Sequence, residues 1–213
     1  MTVVAIDGPA GSGKSTVAAA LAARLGVSHV DTGAIYRAAT LAVLRAGVDV
    51  RDPIACVRVI GESVIGRRDG RTLLDGEDVE ADIRGPEVTA AVSAVSAHPD
   101  VRAALLALQR GQVGDAGGVV EGRDAGTVVV PDADLKVWLT ADPVERARRR
   151  AAERGEQDAY AIGVQAADLA RRDAQDAAQM ARAPEAVVVD TTGRSVDDVI
   201  EELAARAVER SRG

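Results

Sequence analysis

The stretch Thr2–Leu25, TVVAIDGPAGSGKSTVAAALAARL, decides the fold. Residues 2–7 form an apolar, β-branched run that reads as a buried strand. Residues 14–25 read as a strong helix stopped by Gly26. Between them lies Gly8-Pro9-Ala10-Gly11-Ser12-Gly13-Lys14-Ser15, a complete G-x-x-x-x-G-K-[ST] loop followed by Thr16. Its glycines let successive backbone N–H groups turn towards phosphate oxygens, and the helix start adds partial positive charge. Lys14 is expected to reach the β- and γ-phosphates and Ser15 to ligate Mg2+. An ordinary glycine-rich turn leaves a lysine and a hydroxyl at the helix start unexplained, so the motif reads as a nucleoside triphosphate site.

Working outward, VSHVD at 27–31 reads as a second strand and AIYRAATLAVLRA at 34–46 as a second helix, ended by Gly47. Strand, helix, strand, helix within so short a span predicts an α/β fold with a parallel sheet. From Ile65 to Ile83 the character changes: Asp69-Gly70 and Asp75-Gly76 stand between short alternating stretches, a β-hairpin signal with two candidate turns. This patch reads as an insertion. Residues 86–111 return to helix, in two pieces broken at Pro99, and strands follow at 117–122, 135–139 and 186–190. The basic segment 143–154 is helical, Gly155 interrupts it, and helix resumes through ADLARRDAQDAAQ. Ser195 and Asp198 open a final helix to about Arg210 in the manner of a capping box.

Composition bounds the alternatives. The chain has 213 residues, 47% apolar and 28% charged, with a formal charge of −7. That length builds a core without disulfide or metal staples. A single cysteine, Cys56, suits a cytoplasmic setting and excludes an intramolecular bridge. No apolar run approaches a membrane span, the N-terminus lacks a signal-peptide pattern, and the acidic balance argues against a protein that coats nucleic acid. Cys56, His29 and His98 show no ligand spacing and read as packing or surface. With Phe absent and Tyr36, Tyr160 and Trp138 the sole aromatics, the core must be aliphatic. Lys14 and Lys136 are the only lysines in an arginine-rich chain, which marks each as a candidate for work that needs a compact ammonium.

The phosphate loop alone does not separate a motor, a switch and a small-molecule kinase. Polar residues at strand ends do more: Asp31-Thr32-Gly33 after the second strand and Glu121-Gly122-Arg123-Asp124 after the third. Ligands of open α/β sheets lie outside those ends, so a second substrate facing the loop is the economical reading. Arg37 and Arg123 are candidates to converge on one phosphate, since a guanidinium binds it bidentately. A kinase for a hydroxyl acceptor, with Asp31 or Asp124 as base, and a nucleotide-dependent switch remain alternatives at this point.

IDGPAGSGKST, DTGAIYRA, VSAVSAHPDVRAALLALQR, EGRDAGTVVVPDA and RRDAQD together resemble bacterial cytidylate kinases, a branch of the nucleoside monophosphate kinases. The resemblance covers nearly the whole chain. It implies an α/β P-loop kinase fold: a five-stranded parallel sheet flanked by helices, a small α/β insertion and a helical lid. The implied organisation is a single domain over 1–213, with core segments 1–31, 112–145 and 183–213. A monophosphate-binding region would span 32–111, β-rich at about 63–85, and the lid about 146–182. Gly8, Pro9, Ala10, Gly11, Ser12, Gly13, Lys14, Ser15, Thr16 and Arg149 would hold ATP with Mg2+. Thr32, Arg37 and Arg123 would bind the CMP phosphate, Arg123 also acting with Lys14 in catalysis. Ser93, Arg102 and Asp124 would read cytosine, Asp124 accepting from the exocyclic amine. Arg172 and Asp176 would contact CMP, Asp176 through the ribose. Arg148, Arg149, Arg150 and Arg154 fall in the family's arginine-rich lid, which would close over the ATP phosphates. Where the family places an arginine three residues after RRDAQD-type motifs, this chain has Gln179; either Arg182 takes that role after a local shift, which is the expectation here, or the contact is lost. The resemblance also implies a monomer acting on CMP and dCMP, with no nucleic-acid or membrane partner.

Overall fold

The computed structural model describes residues 1–156 and 158–210; Gln157, inside the expected lid, and 211–213, at the end of the expected core, lie outside them. In chain order the elements are β1 (Thr2–Asp7), α1 (Lys14–Leu25), β2 (Ser28–Asp31), α2 (Thr32–Arg45), α3 (Pro53–Glu62), β3 (Ile65–Arg68), β4 (Arg71–Leu74), β5 (Glu77–Asp78), α4 (Pro86–Ala97), α5 (Pro99–Gly111), β6 (Gly117–Gly122), β7 (Leu135–Thr140), α6 (Pro143–Glu153), α7 (Ala159–Asp176), β8 (Val187–Asp190) and α8 (Val196–Arg210). They form two compact units, one of residues 1–30 and 112–213, the other of residues 31–111.

In the first unit the five-stranded sheet has the order β2-β6-β1-β7-β8. β1 pairs in parallel with β6, from Thr2↔Gly117 to Asp7↔Gly122, and with β7, from Val4↔Leu135 to Asp7↔Trp138. The chain leaves central β1 and returns on both sides of it, which places the C-terminal ends of β1 and β6 beside each other. Asp7, the phosphate loop and the Glu121–Asp124 segment therefore start from one corner of the sheet, the place where α/β sheets bind ligands. The core is aliphatic as composition requires: Val4, Ile6, Leu21, Val137, Leu139 and Leu203 are buried between the sheet and α1 and α8. Gly26 ends α1 in the left-handed region at φ 68°, and at the start of α8 the Asp198 N–H donates to Ser195 Oγ at 3.1 Å while that hydroxyl donates to the Asp198 carboxylate at 2.6 Å, the first half of the expected capping box.

The second unit is built on α2, α3, α4 and α5 around Ile35, Val43, Cys56, Ile83, Val95 and Leu105. The hairpin signals resolve into a three-stranded antiparallel sheet, β3-β4-β5, with both expected turns present. Asp69 and Gly70 sit at φ 51° and 77°, Asp75 and Gly76 at 52° and 85°, the paired left-handed geometry of a tight two-residue hairpin turn. The helix break at Pro99 is also present. Helix α3 lies outside the elements expected from the sequence, although its signal is local: Asp52 accepts from the N–H groups of Ile54 and Ala55, both at 3.0 Å, and Pro53 opens the first turn. His98 is a packing residue, its Nε2 2.8 Å from the carbonyl of Val50.

Candidate active site

Strand β1 delivers the chain into a loop that tolerates few side chains. Gly8 has φ 152°, and a Cβ there would lie 2.0 Å from the Leu139 carbonyl oxygen. Gly11 (φ 75°) and Gly13 (φ 88°) take left-handed conformations, Gly13 serving as the N-cap of α1. Side chains from four separate segments donate to the loop's carbonyls. Arg123 Nη1 donates to Gly8 at 2.6 Å and Lys14 Nζ to Pro9 at 2.8 Å. Arg146 Nη1 donates to Ala10 at 2.9 Å, and Thr191 Oγ1 shares its single proton between the Thr140 carbonyl at 3.1 Å and that of Ser12 at 3.3 Å. Burial, reinforced by the Arg123 charge, pushes the Lys14 ammonium down to about 7, against the opposing pull of Glu121, Asp7 and Asp173.

Ser15 Oγ donates to the buried Glu121 carboxylate at 2.8 Å, and His29 Nε2 lies 2.9 Å from its other oxygen. A hydroxyl backed by a carboxylate is a hard oxygen set that fits Mg2+, which keeps waters and substrate phosphates in its shell. Among the described residues no group of three His, Cys, Asp or Glu side chains is placed to hold a metal. His29, expected to be packing or surface, thus partners a site carboxylate.

Asp7, at the end of β1, is buried. Its two carboxylate oxygens accept from the N–H groups of Ala125 (2.7 Å) and Gly126 (2.8 Å). Burial raises its pKa, the two backbone donors oppose that rise, and Asp124 adds to it. These bonds fix the start of a single wide helical turn at 125–129, closed by Val130 N–H donating to Ala125 at 2.8 Å, directly after the buried Asp124. Arg123 donates to Gly8 and pairs with Asp176 of α7 at 3.1 Å. Arg172, also on α7, is partly buried, with Nε lacking a partner among the described residues. Burial, then Arg123 and Arg150, disfavour its charge, while Asp176 and Asp173 support it.

The lid arginines divide. Arg149 donates to Thr191 Oγ1 (2.9 Å) and the Thr191 carbonyl (2.8 Å), and its Nη1 lies 3.7 Å from where a Cβ on Gly13 would sit. Arg150 pairs with Glu153 at 2.6 Å, and Arg148 and Arg154 are exposed. Arg182 is also exposed, beyond the short helical turn that contains Gln179. In the second unit, Arg37 donates to the Ile83 carbonyl (2.8 Å) and Thr89 Oγ1 (3.1 Å). Arg102 stacks over Tyr36, 5.5 Å from the ring centroid, and Thr32 and Ser93 are buried. Asp31 caps α2, accepting from Ala34 N–H at 2.8 Å.

Asp7, Arg146, Asp173 and Thr191 are absent from the residues expected at the site, and Glu121 was marked only by its strand-end position. Asp7 and Glu121 had a signal available, an acidic residue closing an otherwise apolar strand; Asp173 lies inside RRDAQD and Arg146 inside the basic segment 143–154, but neither pattern points to the phosphate loop as partner, and Thr191 had no signal.

The chain matches the family model described as cytidylate kinase over residues 4–209. It is 50% identical over 214 residues to the cytidylate kinase of Nocardia farcinica, covering 95% of this chain and 91% of that one. It is 46% identical over 211 residues to that of Symbiobacterium thermophilum, covering 94% and 93%. Among solved structures, an uncharacterized protein from Eubacterium ventriosum aligns over 98% of both chains at TM-score 0.55 and 12% identity. TT1252 from Thermus thermophilus aligns over 98% of this chain and 97% of its own at TM-score 0.50 and 23% identity. The two structures share the fold, and the sequence relatives go further: this chain belongs to the cytidylate kinase family.

Proposed function

We propose that this chain performs the family's reaction, ATP-dependent phosphorylation of CMP, and of dCMP, to the diphosphate with release of ADP. In this reading Gly8–Thr16 and Arg149 hold ATP. Thr32, Arg37, Ser93, Arg102, Arg123, Asp124, Arg172, Asp176 and Arg182 bind CMP. The observation that carries the assignment is Arg123, whose guanidinium spans from the Gly8 carbonyl of the phosphate loop to Asp176 of the CMP set.

The acceptor is a phosphate oxygen, largely ionised near neutral pH because the second pKa of a phosphate monoester is about 6. It needs no general base. The chain's task is to align two polyanions and neutralise the charge between them. Lys14 exchanges the Pro9 carbonyl for the β/γ-phosphates, and Arg123 and Arg172 place positive charge on the CMP side. Ser15, with Glu121 behind it, would hold Mg2+, which when bound neutralises phosphate oxygens. Asp124, kept in place by the turn that Asp7 anchors, accepts from the cytosine amine; uracil offers a carbonyl there and is refused. In this reading the protein works in the cytoplasm as a monomer on small molecules, and its acidic balance suits it poorly to coating nucleic acid.

A panel assay of ADP release tests this reading with CMP, dCMP, UMP, AMP and shikimate as acceptors. CMP and dCMP should turn over at least about tenfold faster than UMP or AMP, with shikimate inert. Turnover with shikimate would point to a hydroxyl-acceptor kinase, and no acceleration by any acceptor would point to a nucleotide switch.

A further inference from the structure

We infer that Arg146 and Asp173 are positioning residues for ATP, clamping the phosphate loop at Ala10 so that its N–H groups stay aimed at the triphosphate; this rests on reading Gly8–Thr16 as the ATP site. The two side chains grip both polar atoms of one loop residue. Asp173 Oδ1 accepts from the Ala10 N–H at 3.0 Å, and Arg146 Nη1 donates to the Ala10 carbonyl at 2.9 Å. The same nitrogen closes the clamp on Asp173 Oδ2 at 2.6 Å. Both side chains are largely buried, at 12% and 17% exposure. Leu169 and Ala147 pack against Ala10, and a Cβ on Gly11 would lie 3.2 Å from Arg146 Cβ, so α6 and α7 are seated on the loop itself.

The consequence follows from peptide geometry. A trans peptide sends its N–H to the side opposite its carbonyl. Arg146 holds the Ala10 carbonyl on its own side and so directs the Gly11 N–H away, into the loop. Thr191 adds a weaker hold at the next-but-one peptide, its single hydroxyl proton shared between the Thr140 carbonyl at 3.1 Å and the Ser12 carbonyl at 3.3 Å, on the side that sends the Gly13 N–H inward. Peptides flanked by glycine invert readily, since glycine populates both signs of φ, and Gly11 already sits at φ 75°. Without an external grip the nest of N–H donors loses its orientation. Asp173 also spares the loop an unpaired Ala10 N–H.

Arg146 makes both contacts through one nitrogen, and its Nε has no partner among the described residues. A single ammonium serves the same two acceptors, so Lys at this position should preserve the clamp while Ala abolishes it. The test measures the affinity of a non-hydrolysable ATP analogue and the KM for CMP in wild type, Arg146→Ala, Arg146→Lys and Asp173→Ala, each checked for a cooperative thermal transition. Arg146→Ala and Asp173→Ala should weaken the analogue about tenfold, the scale of a lost charge-assisted hydrogen bond, with the CMP KM within about twofold. Arg146→Lys should stay within about threefold of wild type for the analogue. Unchanged analogue binding in both alanine variants overturns the proposal. So does an equal loss for ATP and CMP, which marks a general displacement of α7, or an Arg146→Lys variant no better than Arg146→Ala. In wild type the Gly11 and Gly13 amides should shift in NMR spectra as the analogue is added. If they do not, the loop is not the ATP site, and the parent reading fails separately from the clamp.

Discussion

Asp124 owes its place to a residue far from it in sequence. Its own surroundings, EGRDAG, announce a strand end but not the wide turn that follows, because that turn is held by Asp7, 118 and 119 positions away from the N–H groups it binds. Asp124→Asn keeps the size of the side chain while adding an amide that can donate to the uracil carbonyl. The CMP-to-UMP ratio of kcat/KM should therefore fall by at least about tenfold, read from steady-state kinetics with both nucleotides. An unchanged ratio would place cytosine recognition elsewhere. Arg123 and Asp124 were legible as candidates because a guanidinium and a carboxylate follow an apolar strand; Asp7 carries a similar local mark as the acid that closes β1, but its partners are chosen by how the strand ends lie together. His29 shows the same limit from the other side, since nothing in its neighbours in sequence points to Glu121.

Among the elements, β1 and β6 depend on a contact that only glycine permits. Gly117 has φ 111°, and a Cβ there would lie 2.1 Å from the Thr2 carbonyl oxygen. Gly117→Ala should cost at least about 2 kcal/mol, since backbone must move at the first pair of the ladder. Gly66→Ala on β3, where a Cβ meets nothing within 4 Å, should change stability by less than about 0.5 kcal/mol. Urea unfolding of the two variants checks both figures. Most elements were legible at this scale because their signals are local: periodicity for α1, paired Asp-Gly turns for β3-β4-β5, proline for the α4–α5 break. Helix α3 carries an equally local Asp-Pro start and went unread, whereas the turn at 125–129 has its cause in tertiary hydrogen bonds.

For the molecule as a whole, Lys14 links the site to the stability of the fold. Its ammonium is pushed from 10.5 down to about 7, first by burial and then by Arg123. Between those values the unfolded chain holds the proton and the folded chain has released it. Unfolding therefore takes up a proton, and stability rises with pH across that window. Wild-type protein without nucleotide should gain stability relative to Lys14→Met from about pH 7 to about pH 10, and the difference should level off below about pH 7. Urea unfolding across that range measures it, and a flat difference would show that Lys14 stays charged in the folded protein. By itself the sequence determined the α/β class, the phosphate loop and the hairpin turns, because glycine, proline and hydrophobic periodicity act within a few residues. Tertiary structure alone decided which side chains hold that loop in shape. Arg146, Asp173 and Thr191 reach Ala10 and Ser12 across separations of 136, 163 and 179 residues. Over such distances hydrogen-bond partners are set by packing, which no local pattern records.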